Sequence, residues 1–247
     1  MKRVGWQVIL GAALVSLSAV LYYLHYTIFR DAHHIFIYLL GDIAFVPIEV
    51  LLVTLIIHRL LHYRERRLLM QKLNMVIGAF FSEVGTGLLE SLSSFDSGSL
   101  KNNKYFLVDG DWTAKDFTAA VRFAENLDPS VDTRKGNLTD LRDLLEEKKA
   151  FMLRLLENQS LLEHDSFTEL LWAVFHLSEE LTARPDLSAL PEKDYEHLAG
   201  DINRAYRHLT SEWLKYMRHL KNDYPYLFSL AVRVNPFKTD PSPVIRD

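Results

Sequence analysis

The stretch His34-Ile-Phe-Ile-Tyr-Leu-Leu-Gly-Asp-Ile-Ala-Phe-Val-Pro-Ile-Glu-Val-Leu-Leu-Val-Thr-Leu-Ile-Ile-His58 decides how the chain is organised. Between residues 35 and 57 its only charged side chains are Asp42 and Glu49. A helix of about 20 apolar residues crosses the roughly 30 Å of hydrocarbon in a bilayer, so this run reads as a membrane span. A second run precedes it, because residues 4 to 29 hold no Lys, Arg, Asp or Glu. The sequence therefore predicts a two-helix transmembrane hairpin over residues 1–63, with spans at about 4–29 and 35–58.

Charge sets the expected orientation. Lys2 and Arg3 precede the first span, the link holds Arg30, and Arg59, Arg64, Arg66, Arg67 and Lys72 follow the second. The positive-inside rule then puts both termini in the cytoplasm of a multi-pass protein of the plasma (inner) membrane. A cleaved signal peptide is the competing reading, with Met1-Lys-Arg as its basic start and Ser16-Leu-Ser18 as its cleavage site. The apolar stretch runs on to Phe29, too long for such a segment.

Asp42 and Glu49 are seven residues apart, close to two helical turns, and so share a face. Ionisable groups inside hydrocarbon cost about 2.5–3.5 kcal/mol each on insertion scales, so they face partners, cavities or other subunits. In an antiparallel hairpin Ser18 comes to the depth of Asp42 and can donate to it. Pro47 removes a backbone hydrogen bond between the two acids. One reading of these groups is polar glue between helices, most simply within a homo-oligomer. The other is a conducting path: two spans cannot enclose a pore, but rings of Asp42 and Glu49 around a symmetry axis would attract cations. The Asp-Ile followed closely by Pro and Glu is similar to the Asp-Ile-x-Glu-Pro element of mitochondrial calcium uniporters. Here the string Asp42-Ile-Ala-Phe-Val-Pro-Ile-Glu49 is longer and has its Pro before the Glu.

The remainder has ordinary globular composition. Setting aside Lys2, Arg3, Arg30 and Arg59 from the 28 basic residues, and Asp31, Asp42 and Glu49 from the 32 acidic ones, leaves 24 against 29 from residue 64 onward. That acidic balance argues against nucleic acid as a partner. The absence of cysteine removes disulfides and thiolate chemistry. Apolar residues at Leu69, Leu73, Val76, Ile77, Phe80, Val84, Leu88 and Leu92 follow the helical period. Met75, Ala79 and Phe81 lie off that stripe, which predicts a helix buried on most sides and continuous with the second span.

Further helices are expected after Thr113, whose partner Asp116 makes a capping box, and over residues 138–162. Others are expected from the Ser166-Phe-Thr-Glu169 box to Thr182, and from Pro191 to Asn222. Tyr105–Val108 is the sole strand candidate. The fold class is all-α: a cytosolic helical bundle over 64–237 behind the hairpin, with a loose tail at 238–247.

No nucleotide-binding glycine loop, His-Glu-x-x-His, Glu-x-x-His or Gly-x-Ser-x-Gly motif occurs, so no enzyme, cofactor or metal site is assigned. Arg204, His208, Lys215 and Arg218 share one face of the last long helix, opposite Leu209, Trp213, Met217 and Leu220. A solvated face is the plain reading, and contact with an anion or an acidic partner the alternative. Tyr224-Pro-Tyr-Leu-Phe-Ser-Leu-Ala-Val-Arg-Val-Asn-Pro-Phe237 is too apolar for open water and is expected to dock onto the core. Together with Gly41–Glu49 it resembles uncharacterised two-span bacterial membrane proteins with a helical cytosolic domain, a resemblance that implies no activity. The expectation is a membrane-anchored oligomeric interaction or signalling protein. Its partners would be the lipid bilayer, further copies of itself and a cytosolic protein. The alternative is a homo-oligomeric cation channel, with cations as the additional partner.

Overall fold

The computed structural model describes residues 6–96, 103–158, 161 and 164–244. It divides into two compact units, Met1–Arg66 and Arg67–Asp247. The described residues form helices and turns without a strand. The β-type contact among them is an isolated bridge between Asp96 and Val131. The strand candidate at Tyr105–Val108 begins as a turn, in which the Asn103 carbonyl accepts from Phe106 and Leu107.

The first unit contains α1 (Trp6–Phe29) and the start of α2 (Ala32–Phe80). The two helices are joined by Arg30 and Asp31. Arg30 adopts a left-handed conformation (φ 52°) as its amide closes onto the Tyr26 carbonyl at 2.9 Å. Asp31 Oδ1 then accepts from the His34 amide at 3.2 Å and caps α2. Both Trp6–Phe29 and Ala32–Glu65 are long and apolar enough to cross a membrane, and neither is buried in protein. Pro47 lies inside α2 without ending it.

A third helical stretch, Lys72–Ser93, meets the same length and composition criteria but is substantially buried. Its apolar face belongs to a protein core: Leu73, Ile77, Phe80, Val84, Leu88 and Leu92 are all buried there. The expectation of burial on most sides is corrected, since Met75 and Ala79 are exposed and Phe81 is the off-stripe residue that enters the core. The helix widens into a π turn at Phe81–Gly85 before α3 (Thr86–Ser93). Gly85 permits this turn: a Cβ there would sit 2.5 Å from Phe81 Cδ1 and 2.9 Å from Phe80 Cε1.

The second unit continues with α4 (Ala114–Glu125), α5 (Leu138–Leu156), α6 (Asp165–Thr182), α7 (Glu192–Asp223) and α8 (Pro225–Arg233). α7 is the central strut, packing against α3, α4, α6 and α8. The Thr113–Asp116 capping box opens α4 as expected, with Asp116 Oδ2 accepting from the Thr113 amide at 2.7 Å. The box expected at Ser166–Glu169 does not form. His164 caps α6 by accepting from the Phe167 amide, because Ser166 donates instead to the buried Glu212 at 2.7 Å. The aromatic C-terminal stretch forms α8 and a turn: Phe228, Asn235 and Phe237 are buried, but Tyr226 remains 72% exposed. Asn235 fixes this end by donating to the Phe106 carbonyl at 2.7 Å and accepting from the Phe237 amide at 2.9 Å.

Candidate functional site

In the first unit, Ser18, Tyr22 and His25 project from α1 at helical spacing, and His34, Tyr38 and Asp42 from α2. The two-residue turn brings these faces together around a cavity of about 600 Å³, completed by Leu21 and Ile35. Asp42 lies about 15 Å along α2 from its first residue, near mid-depth for a 30 Å slab that starts at the turn. The His25 and His34 rings stack at 6.1 Å, and His34 meets the edge of Tyr38 at 4.6 Å. His25 Nδ1 is buried without a hydrogen bond.

Ser18 and Asp42, paired by depth in the sequence reading, do line one cavity, although no hydrogen bond joins them. Glu49 lies outside it. Its side chain is exposed and has no hydrogen bond or ion pair among the described residues, with eight uncharged residues following before His58. The structure therefore separates the two acids by environment.

In the second unit the basic face of α7 is divided among several local duties. Arg204 Nη1 donates to Asp201 at 3.1 Å. Lys215 Nζ donates to Glu212 at 2.9 Å and to Ser166 at 3.3 Å, and lies 3.5 Å from Glu125. His208 shares a groove with Lys215, Arg207, Glu169 and Ser211, and its burial holds the imidazole pKa below its ordinary range. Arg218 lines a second hollow, which Lys215 also borders, with Asn74, His164 and His219. Leu209, Trp213, Met217 and Leu220 are buried on the opposite side, as the pattern predicts.

A further constellation joins α6 to α7. His176 and Glu180 are one turn apart on α6, and His197 and Asp201 one turn apart on α7. Their ligand-type atoms all lie within 4.8 Å of one another. Asp201 Oδ2 is 3.4 Å from both His176 Nε2 and His197 Nε2; Glu180 is 3.5 Å from His197 and 3.9 Å from His176. Arg184 holds Glu180 Oε2 at 2.7 Å, and this bond keeps the Glu180 carboxyl below its usual pKa range. Two further Arg184 donors fork onto Asp194. Neither Glu-x-x-His nor His-Glu-x-x-His describes these two His-x-x-x-acid pairs, whose i, i+4 spacing is the signal that marks them.

These features define an all-helical protein of two units, the first of which has helices long and apolar enough to cross a membrane. The chain belongs to the family of the uncharacterized protein MJ1433. A family model described as its C-terminal helical domain matches residues 69–233, and one described as its N-terminal helical domain matches residues 2–61. The chain is 47% identical over 232 residues to "Uncharacterized protein MJ1433" of Methanocaldococcus jannaschii, covering 94% of this chain and 93% of that protein. No solved structure matches. The resemblance is thereby narrowed to a protein with N- and C-terminal helical domains; these matches carry neither a bacterial origin nor a membrane location.

Proposed function

We propose that this chain is a membrane-anchored oligomeric interaction or signalling protein. In this reading α1 and the first part of α2 cross the plasma membrane as a hairpin. Both termini face the cytoplasm, following the basic residues at each end. The helical unit from Arg67 onward then offers its surface to a cytosolic partner, and no catalysis is assigned to it. Glu49 carries the oligomeric part of the reading. An exposed carboxyl within an apolar helix, unpaired among the described residues, finds its lowest free energy against a polar group of another copy. Native mass spectrometry of the full chain in nanodiscs tests it. More than one copy per particle is expected, retained by Glu49→Gln and lost with Glu49→Leu. A monomeric wild-type chain would overturn it.

A cation-conducting oligomer is the second reading, favoured by the polar groups that Ser18, His25, His34 and Asp42 bring into one cavity. Proteoliposome flux separates the two. A channel would lose cation flux with Asp42→Asn while keeping its subunit count, and an interaction module would show no flux in either form.

A further inference from the structure

We infer that His176, Glu180, His197 and Asp201 form a binding site for a single divalent transition-metal ion, with Zn2+ the best match. Two neutral imidazoles and two carboxylates are a borderline N/O donor set suited to Zn2+ and its first-row neighbours.

The argument starts from spacing. With bonds of about 2.0–2.1 Å, donor atoms on a tetrahedral Zn2+ stand about 3.3–3.4 Å apart. Here Asp201 Oδ2 stands 3.4 Å from each Nε2, Glu180 Oε2 is 3.5 Å from His197 and Glu180 Oε1 is 3.9 Å from His176, and one donor atom from each of the four lies within 4.8 Å of the others. Direct hydrogen bonds between imidazole and carboxylate would draw the same atoms to about 2.7–2.9 Å. The four groups are therefore spaced as ligands around a common centre, and too widely for charge-assisted pairs.

The second observation is independent of the clustering. Asp201 is 3% exposed, and its Oδ2 is buried without a hydrogen bond while facing both Nε2 atoms. A buried carboxylate oxygen left unsatisfied is costly, and a cation at the centre of the four groups would satisfy it.

The surroundings fit the same role. Arg204 holds the other oxygen of Asp201 at 3.1 Å, and Arg184 holds Glu180 Oε2 at 2.7 Å. Asp201 is thus oriented from behind, as outer-shell partners orient metal ligands, while Arg184 fixes Glu180 through the oxygen nearest His197 and leaves Oε1, 3.9 Å from His176 Nε2, as its donor. Arg184 is itself balanced by Asp194, so the two guanidiniums face three carboxylates and the site keeps a net negative charge with both imidazoles neutral. His176 and His197 are about half exposed, which leaves a route for the ion from solvent. Bound there, it would link α6 to α7 across the Ala183–Pro191 connection.

The test uses the full chain in detergent, with any purification tag removed, stripped with chelator and titrated with Co2+ alone. One equivalent is expected to bind, giving visible absorption bands that Zn2+ then abolishes. His176→Gln and His197→Gln alter half-exposed side chains, and circular dichroism of the metal-free proteins should match wild type. Each is expected to weaken Co2+ binding on the order of 100-fold. Wild-type protein that binds no Co2+, or binding left unchanged in both variants, would overturn the assignment.

Discussion

Lys215 Nζ lies 2.9 Å from Oε1 of Glu212, one helical turn earlier on α7, and Glu212 is only 2% exposed. The pair is a charged contact sunk into the junction of α6 and α7, with Ser166 as its third member. Removing one member of such a pair strands the other charge. Lys215→Met is therefore expected to destabilise the protein by about 3 kcal/mol, and Ser166→Ala by about 1–2 kcal/mol. Thermal melts followed by tryptophan fluorescence measure both, and equal melting temperatures for wild type and Lys215→Met would refute the account.

Gly85 and Gly87 stand two residues apart yet should respond oppositely to alanine. At Gly85 the new methyl collides with the Phe80 and Phe81 rings, at an expected cost of about 1–3 kcal/mol. At Gly87 nothing lies within 4 Å, and a helical Gly→Ala change gains up to about 1 kcal/mol. The two melting temperatures should move in opposite directions.

Asn235→Ala leaves the Phe106 carbonyl and the Phe237 amide without their shared partner. An expected loss of about 2–4 kcal/mol follows from two buried orphan groups. Hydrogen exchange at residues 234–238 should rise before that of α7; unchanged protection there would show that Phe237 alone holds the segment.

Stability should fall in two separate steps as the solution is acidified. Burial, with Arg207 adding to it, holds His208 below the ordinary imidazole range, so the unfolded chain takes up that proton first. This loss begins near pH 6.5 and ends at the lower folded value. Asp116 is held below its usual range by the Thr113 hydroxyl and amide. Its contribution is intact above the ordinary Asp value and disappears as pH falls through the depressed one. His208→Gln should flatten the first step of a melting-temperature profile and leave the second in place.

Much of this architecture is visible in the residues. Residues 4–29, the longest stretch without Lys, Arg, Asp or Glu, reveal α1, and a run whose charged side chains are only Asp42 and Glu49 reveals the start of α2. Thr113 and Asp116 announce α4 because capping is a local interaction. Ser166 misleads for the converse reason: its hydroxyl is claimed by Glu212, 46 positions away, a partner no local pattern contains. The Tyr224-Pro225 start of α8 carries no side-chain cap, so its helix is masked by aromatic composition. Ser18 and Asp42 could be matched by counting turns from the Arg30-Asp31 link. The meeting of His176 with His197 depends on how α6 crosses α7, and each pair looks ordinary on its own helix.

The π turn at Phe81–Gly85 has a consequence for how the gene can change in length. Such a turn carries one residue more than the α turn it replaces. Deleting a residue between Leu73 and Phe80 would turn Leu73 by about 100° relative to Phe80 and carry it out of phase with α3. A deletion inside 81–85 can instead be absorbed by tightening the turn to an ordinary one. Relatives that differ by a single codon in this helix should have gained or lost it there.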